Sequence, residues 1–186
     1  YSTADTLATV LHEDGRNTEA LDTLAHFMDG SNRVAATGRK VFIESAGKDP
    51  LDPVRSWVAL LKRHPDYDWG WSMMAAALAG LETSGAREEA AREVLPLLRE
   101  NAHRAPELLT TDFCGAVDGD FMQGLWEDLI RVHPENNDLV WRWFLTAREE
   151  SQDEAPRKLG ALLSRLAAEL GADRLQALPA WRYGEA

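Results

Sequence analysis

A chain of 186 residues with 45% hydrophobic side chains can bury a real core and is too short for two domains of ordinary size, so one helical domain over 1–186 is expected. Its 31 acidic residues against 20 Lys and Arg leave a formal net charge of -11, which repels a phosphate backbone and argues against a nucleic-acid partner. No apolar run approaches the roughly 18 to 20 residues of a membrane helix, and the N-terminus lacks the basic-then-apolar pattern of a signal peptide, so a soluble chain without a membrane partner is expected.

The expected elements are helices, and the best β-favouring run, Val41 to Ile43, sits inside helical spacing. Leu7, Val10 and Leu11 share a face that stops at Gly15. Asn17 or Thr18 is placed to cap a second run through Leu21, Leu24 and Ala25, ended by Gly30. Ser31 is placed to cap a third with Val34, Val41 and Phe42, where Gly38 either permits close packing or marks a weak point, and Gly47 ends it. Residues 1–47 carry no repeat signature and read as N-terminal, capping helices.

From residue 48 the punctuation becomes regular. Asp52 and Pro53 read as cap and first helical position, followed by Val54, Trp57, Val58 and Leu61 up to the His64-Pro65 break. Asp68 opens a helix with Trp71, Met74, Ala75 and Leu78. After a turn at Thr83 to Gly85 another carries Ala90, Ala91, Val94 and Leu98, which Pro96 is expected to kink or restart. Ala105 to Gly119 reads as a short helix and a loop. Asp118 or Asp120 then caps a helix with Phe121, Leu125, Trp126 and Leu129, broken at His133-Pro134. Asn137 or Asp138 is expected to cap the next, with Val140, Trp143, Phe144 and Ala147. A last helix bears Leu159, Leu162, Leu163, Leu166 and Leu170 and closes at Gly171, leaving 171–186 as a turn and tail with Leu175, Pro179 and Trp181.

Two stretches share a pattern. Leu61-Lys62-Arg63-His64-Pro65 precedes Trp69-Gly70-Trp71, and Ile130-Arg131-Val132-His133-Pro134 precedes Trp141-Arg142-Trp143. A proline ending one helix and a Trp-x-Trp pair opening the next is the punctuation of helical-hairpin repeats. On these residues the segment from about 49 to 170 resembles, as a divergent and partial match, the tetratricopeptide-like group of α-hairpin repeats. Pro65 and Trp71 stand at that family's spacing, Met74 and Leu78 at its next buried positions, and Ala90 and Val94 at its second-helix contacts. The turn around Gly85 is longer than the family's, and Trp141 lies one residue further from Pro134. The resemblance implies an all-α fold of short antiparallel helix pairs, stacked as a superhelix or a compact bundle, and a role in binding protein or peptide.

Candidate chemistry is sparse. His64 and His133 could share a ligand role, but a His in the last turn before a proline already suits the carbonyl end of the helix dipole. Glu100 and His103 have the Glu-x-x-His spacing of di-iron bundles without the second copy such a site needs. Asp112, Asp118 and Asp120 crowd one loop, yet their spacing fits no calcium-hand and helix capping explains them. Cys114 is the single cysteine, flanked by Phe113 and Gly115, and reads as a small buried residue in a chain that suits a reducing cytoplasm. No catalytic, metal or cofactor site is expected.

The four residues offered to a partner are Trp69, Trp71, Trp141 and Trp143. Members of each pair point about 200 degrees apart on a helix, so both cannot face one core. The expected function is an interaction module presenting an acidic, Trp-containing surface to a basic peptide or protein. The alternatives are a small acidic inhibitor that masks a basic enzyme, and a metal-dependent helical hydrolase with a scattered site.

Overall fold

Apolar side chains at helical spacing, cut every dozen or so residues by Gly, Pro or a capping side chain, give short helices that must each find a neighbour. The computed structural model describes residues 3–25, 33–45 and 49–171, and for Thr111 and Asp112 the backbone alone. The expected signals at Gly30, Ser31, Gly47, Leu175, Pro179 and Trp181 lie outside the described residues. Within them the chain is all-α and contains no strand. Where one domain was expected, the contacts divide the chain into two units, 1–80 and 81–186.

The first unit holds α1 (Thr3–Glu13), α2 (Asn17–Ala25), α3 (Arg33–Ser45), α4 (Asp52–Leu61) and α5 (Asp68–Ala79). Each packs on the next, so the boundary expected near residue 47 falls inside this unit, where α3 lies against α4. Gly15 ends α1 with a φ of +76°, a conformation that favours glycine. The buried face of α1 is Ala4, Ala8 and Leu11, whereas Leu7 and Val10, expected on that face, are 49% and 48% exposed. The alanines carry too little apolar area to register in a pattern of large side chains, but they let neighbouring backbones approach. Ala8 and Leu11 join Ala20, Leu24, Ala36 and Ile43 in one cluster. Asp52 is the first residue of α4 rather than its cap, and the Leu51 N–H donates instead to Asp49 Oδ1 at 2.8 Å.

Arg39 of α3 ties this unit together. Its Nε donates to Asp5 Oδ1 at 3.0 Å and its Nη2 to Oδ2 at 3.4 Å, a forked bond from α3 to α1. The same guanidinium lies 4.8 Å from the centre of the Trp69 ring, on α5. Trp69 in turn meets Trp57 of α4 edge-on at 5.6 Å and Tyr67 at 6.0 Å. Tyr67 rests on Gly38, and its burial pushes the phenol up to about 12.

The second unit holds α6 (Ser84–Glu100), a 3₁₀ turn at Ala102–Arg104, α7 (Ala105–Leu108), α8 (Thr111–Cys114), α9 (Gly119–Val132), α10 (Asn137–Glu150) and α11 (Ala155–Leu170). The hairpin of α9 and α10 is its centre, with α6 against α9, and α7 and α11 against α10. Pro96 neither restarts nor ends α6, which runs from Ser84 to Glu100. An internal proline costs about 3 kcal/mol, and the buried stripe of Ala90, Ala91, Val94, Leu97 and Leu98 lies on both sides of it, so lateral burial outweighs the lost backbone bond. Thr83 caps α6 by accepting from the Ala86 N–H, and Asp118 caps α9 by accepting from the Phe121 N–H. Asn136, not Asn137 or Asp138, caps α10: its side-chain oxygen accepts from the Asp138 N–H at 3.1 Å. Gly171 closes α11 with a φ of +89°.

The expectation for Gly38 left close packing and local weakness open, and the structure shows close packing. A Cβ there would stand 2.7 Å from Tyr67 Oη and 2.8 Å from Cε1. Gly38→Ala is therefore expected to destabilise the fold by about 1–3 kcal/mol, although alanine is the better helix former. Gly124→Ala, in the interior of α9 with nothing within 4 Å of the added carbon, is expected to stabilise by about 0.5–1 kcal/mol. Chemical denaturation of both variants checks the opposed signs.

Candidate functional site

The two His-Pro corners are chemically different. At the first, between α4 and α5, the buried Trp71 donates its indole N–H to the Pro65 carbonyl at 2.7 Å, so the Trp holds the corner that precedes it. At the second, between α9 and α10, the histidine does the holding: His133 Nε2 lies 2.6 Å from the Arg99 carbonyl near the end of α6. A carbonyl only accepts, so Nε2 carries the proton, and Nδ1 faces Glu135 at 3.5 Å. Trp143 is buried, and its indole N–H has no hydrogen-bond partner among the described residues, as is also true of Trp126.

The four sequence-selected tryptophans therefore have separate fates. Trp71 and Trp143 are core residues at 2% and 3% exposure and offer nothing to a partner directly. Trp69 is partly buried beneath Arg39. Trp141 is 55% exposed, and its ring stacks on Phe144, with centres 5.5 Å apart and planes inclined by 29°.

Close to Trp141 in the chain, an open cleft of about 550 Å³ lies where the end of α6 and the 3₁₀ turn meet the start of α10. Glu100, His103, His133, Glu135, Asn137 and Asp138 line it, and no Lys or Arg does. Three arginines nearby in sequence have carboxylate partners elsewhere: Arg99 with Asp128 at 2.8 Å, Arg104 with Glu107 at 3.3 Å, and Arg131 with Asp128 at 3.3 Å and Glu169 at 3.1 Å. Glu100 and Asp138 have no ion pair among the described residues. Asn137 Oδ1, an acceptor, is buried with no donor there. Asn137 and Asp138 stand four and three residues before Trp141, which puts them one turn away on the same side of α10.

No family model, no curated protein and no solved structure matches the chain. Of the tetratricopeptide-like positions, Trp71, Met74 and Leu78 are buried in the first unit, and Ala90 and Val94 in the second.

Among the described residues no group of three or more His, Cys, Asp or Glu is placed to hold a metal ion. Glu100 and His103 share the cleft without completing such a set, Asp118 is engaged as a helix cap, and the side chain of Asp112 lies outside the description. His64 ends the turn after α4, with its backbone N–H on the Leu60 carbonyl. The sequence reading missed Glu135, Asn136 and Asn137 as cleft residues. The run His133-Pro134-Glu135-Asn136-Asn137-Asp138 was visible as a polar linker, but its partner wall at Glu100 to His103 is some thirty residues away in the chain.

Cys114 is a partly buried thiol 3.5 Å from the Leu109 carbonyl, and burial pushes it up to about 12 from an ordinary 9.0. At neutral pH that leaves roughly a thousandth of the usual thiolate, so the native protein is expected to react with a thiol reagent far more slowly than the unfolded chain. Because the folded value is the higher one, the contribution of Cys114 to stability is complete below pH 9 and falls as pH rises toward 12. Thiol titration in native buffer and in denaturant reads the first expectation, and a Cys114→Ala variant that loses less stability in alkali reads the second.

The tryptophan geometry gives a paired expectation. Trp71→Phe removes both ring area and the bond to Pro65, whereas Trp143→Phe removes ring area and an unpartnered buried donor. The first variant should lose about 1–2 kcal/mol more than the second in equilibrium unfolding.

Proposed function

We propose that the chain is an interaction module that receives a basic peptide or protein segment on the second unit, at the acidic cleft and the adjoining Trp141. The observation that carries this reading is the exposure of Trp141: a 55% open indole stacked on a second aromatic ring is a poor use of a side chain that contributes most when buried. Tryptophan is enriched at the anchors of protein interfaces, where it loses its remaining water to a partner. One turn before it stands Asp138, which lines the cleft with Glu100 and Glu135; these carboxylates supply the charge that draws a basic partner, and the net charge of -11 extends that attraction. The resemblance to helical-hairpin repeats agrees with a binding role. No helix among the described residues is long and apolar enough to cross a membrane.

The test is a titration with short Lys- and Arg-rich peptides, monitored by calorimetry. Affinity should fall as salt is raised from about 50 to 500 mM, since added salt shortens the range over which exposed charges attract. Trp141→Ala should weaken binding by about tenfold or more while leaving the unfolding midpoint nearly unchanged, because the lost side chain is mostly in water. Binding that ignores both salt and Trp141 would overturn the reading.

A further inference from the structure

The first residue of each Trp-x-Trp pair stands near the start of a helix, in α5 for Trp69 and in α10 for Trp141, with the second residue of the pair in the core. In the first unit the outward indole is covered. Arg39 lies 4.8 Å from the ring centre and spends its edge in a forked bond to Asp5, so one guanidinium satisfies a carboxylate and an indole face together. In the second unit the matching indole has a carboxylate one turn away, Asp138, and no cation over its face among the described residues.

We infer that Trp141 and Asp138 take an arginine side chain supplied by the partner, which completes in trans the arrangement that Arg39 completes internally on Trp69. The inference rests on the reading of this surface as a docking site for a basic segment, and it narrows the basic group to a guanidinium. Two features favour arginine over lysine, and a third leaves the acceptors free for either. The lining presents acceptors at several places, the carboxylates of Glu100, Glu135 and Asp138, and a planar group with five donors can bond more than one of them where an ammonium is a compact point charge. The Trp141 ring, backed by Phe144, offers a flat apolar surface on which the weakly hydrated guanidinium stacks and the strongly hydrated ammonium gains less. The one proton donor whose direction is settled in the lining, His133 Nε2, is committed to the Arg99 carbonyl and does not compete for the acceptors.

The experiment uses the full chain and three synthetic peptides that differ at one central residue, arginine, lysine or citrulline, in an otherwise identical sequence with flanking lysines. Binding is measured by calorimetry at one salt concentration for the parent protein and for Trp141→Ala, Trp141→Phe and Asp138→Asn, each first shown to unfold as the parent does. The arginine peptide is expected to bind about fivefold tighter than the lysine peptide, the size of one partly desolvated cation–π contact. Trp141→Ala and Asp138→Asn should each erase that preference, and Trp141→Phe should keep part of it. If arginine and lysine peptides bind alike, or if the preference survives Trp141→Ala, the arginine assignment is overturned while the acidic docking surface stands. If no peptide binds at all, the docking surface falls and the assignment falls with it.

Discussion

Helices as short as these are marginal in water, so each one among the described residues depends on a neighbour to cover its apolar side chains. That constraint gives the proline breaks their importance. Pro65 and Pro134 each end a helix and return the chain against it, and the two hairpins so formed, α4 with α5 and α9 with α10, are the most closely packed pairs that span such a corner. A corner of this kind leaves backbone carbonyls to satisfy. The first corner is served by an indole that comes after it, and the second histidine serves a carbonyl of another helix. The same dipeptide thus does two different jobs, and a matching sequence pattern is no warrant for a matching site.

The Trp-x-Trp spacing sets up the asymmetry from which the functional reading grows. Two residues apart on a helix, one indole enters the core and the other must be covered from elsewhere or meet water. Arg39 covers Trp69 because α3 brings a cation to the correct height, with Asp5 of α1 holding its far edge. That ion pair is largely shielded, at 16% and 22% side-chain exposure, so removing one partner leaves a poorly solvated charge and costs more than breaking an exposed pair. Trp141 has Phe144 beside it instead, an apolar neighbour that orients the ring and leaves its outer face open.

What could be read from the sequence was local. Thr83, Asp118, Gly15 and Gly171 mark helix ends because capping and positive φ are decided within a few residues. The α4, α5 and α9 stripes were visible because large apolar side chains recur at the helical period. Leu7 and Val10 misled because the buried face of α1 is built mainly from alanines, whose close approach leaves little signal. Pro96 misled because tertiary burial outweighed a local propensity. The candidate site was legible only in part: Trp141 could be singled out by its spacing, but not told apart from Trp71 or Trp143. The cleft could not be foreseen, since its walls are separated by some thirty residues and meet only because α9 returns beside α6.

Several carboxylates of the second unit are matched by cations within the fold. On α9 and α11, Glu127, Asp128 and Glu169 are matched with Arg131, Arg165 and Arg99, and Glu150 is matched with Lys158 while also accepting from Gln123. Such exposed pairs add little stability singly, but each one removes a carboxylate from the field that an approaching partner feels. Arg99 shows the effect most directly. It follows the stripe of α6 and immediately precedes Glu100, yet its guanidinium turns to Asp128 on α9, while its carbonyl is taken by His133. The residue nearest in sequence that could neutralise the cleft is thus held away from it by the contact that packs α6 on α9. Packing between these helices therefore leaves Glu100 and Asp138 with no ion-pair partner among the described residues. Asp138 stands one turn from Trp141, the one large aromatic side chain among the described residues of the second unit that is mostly exposed.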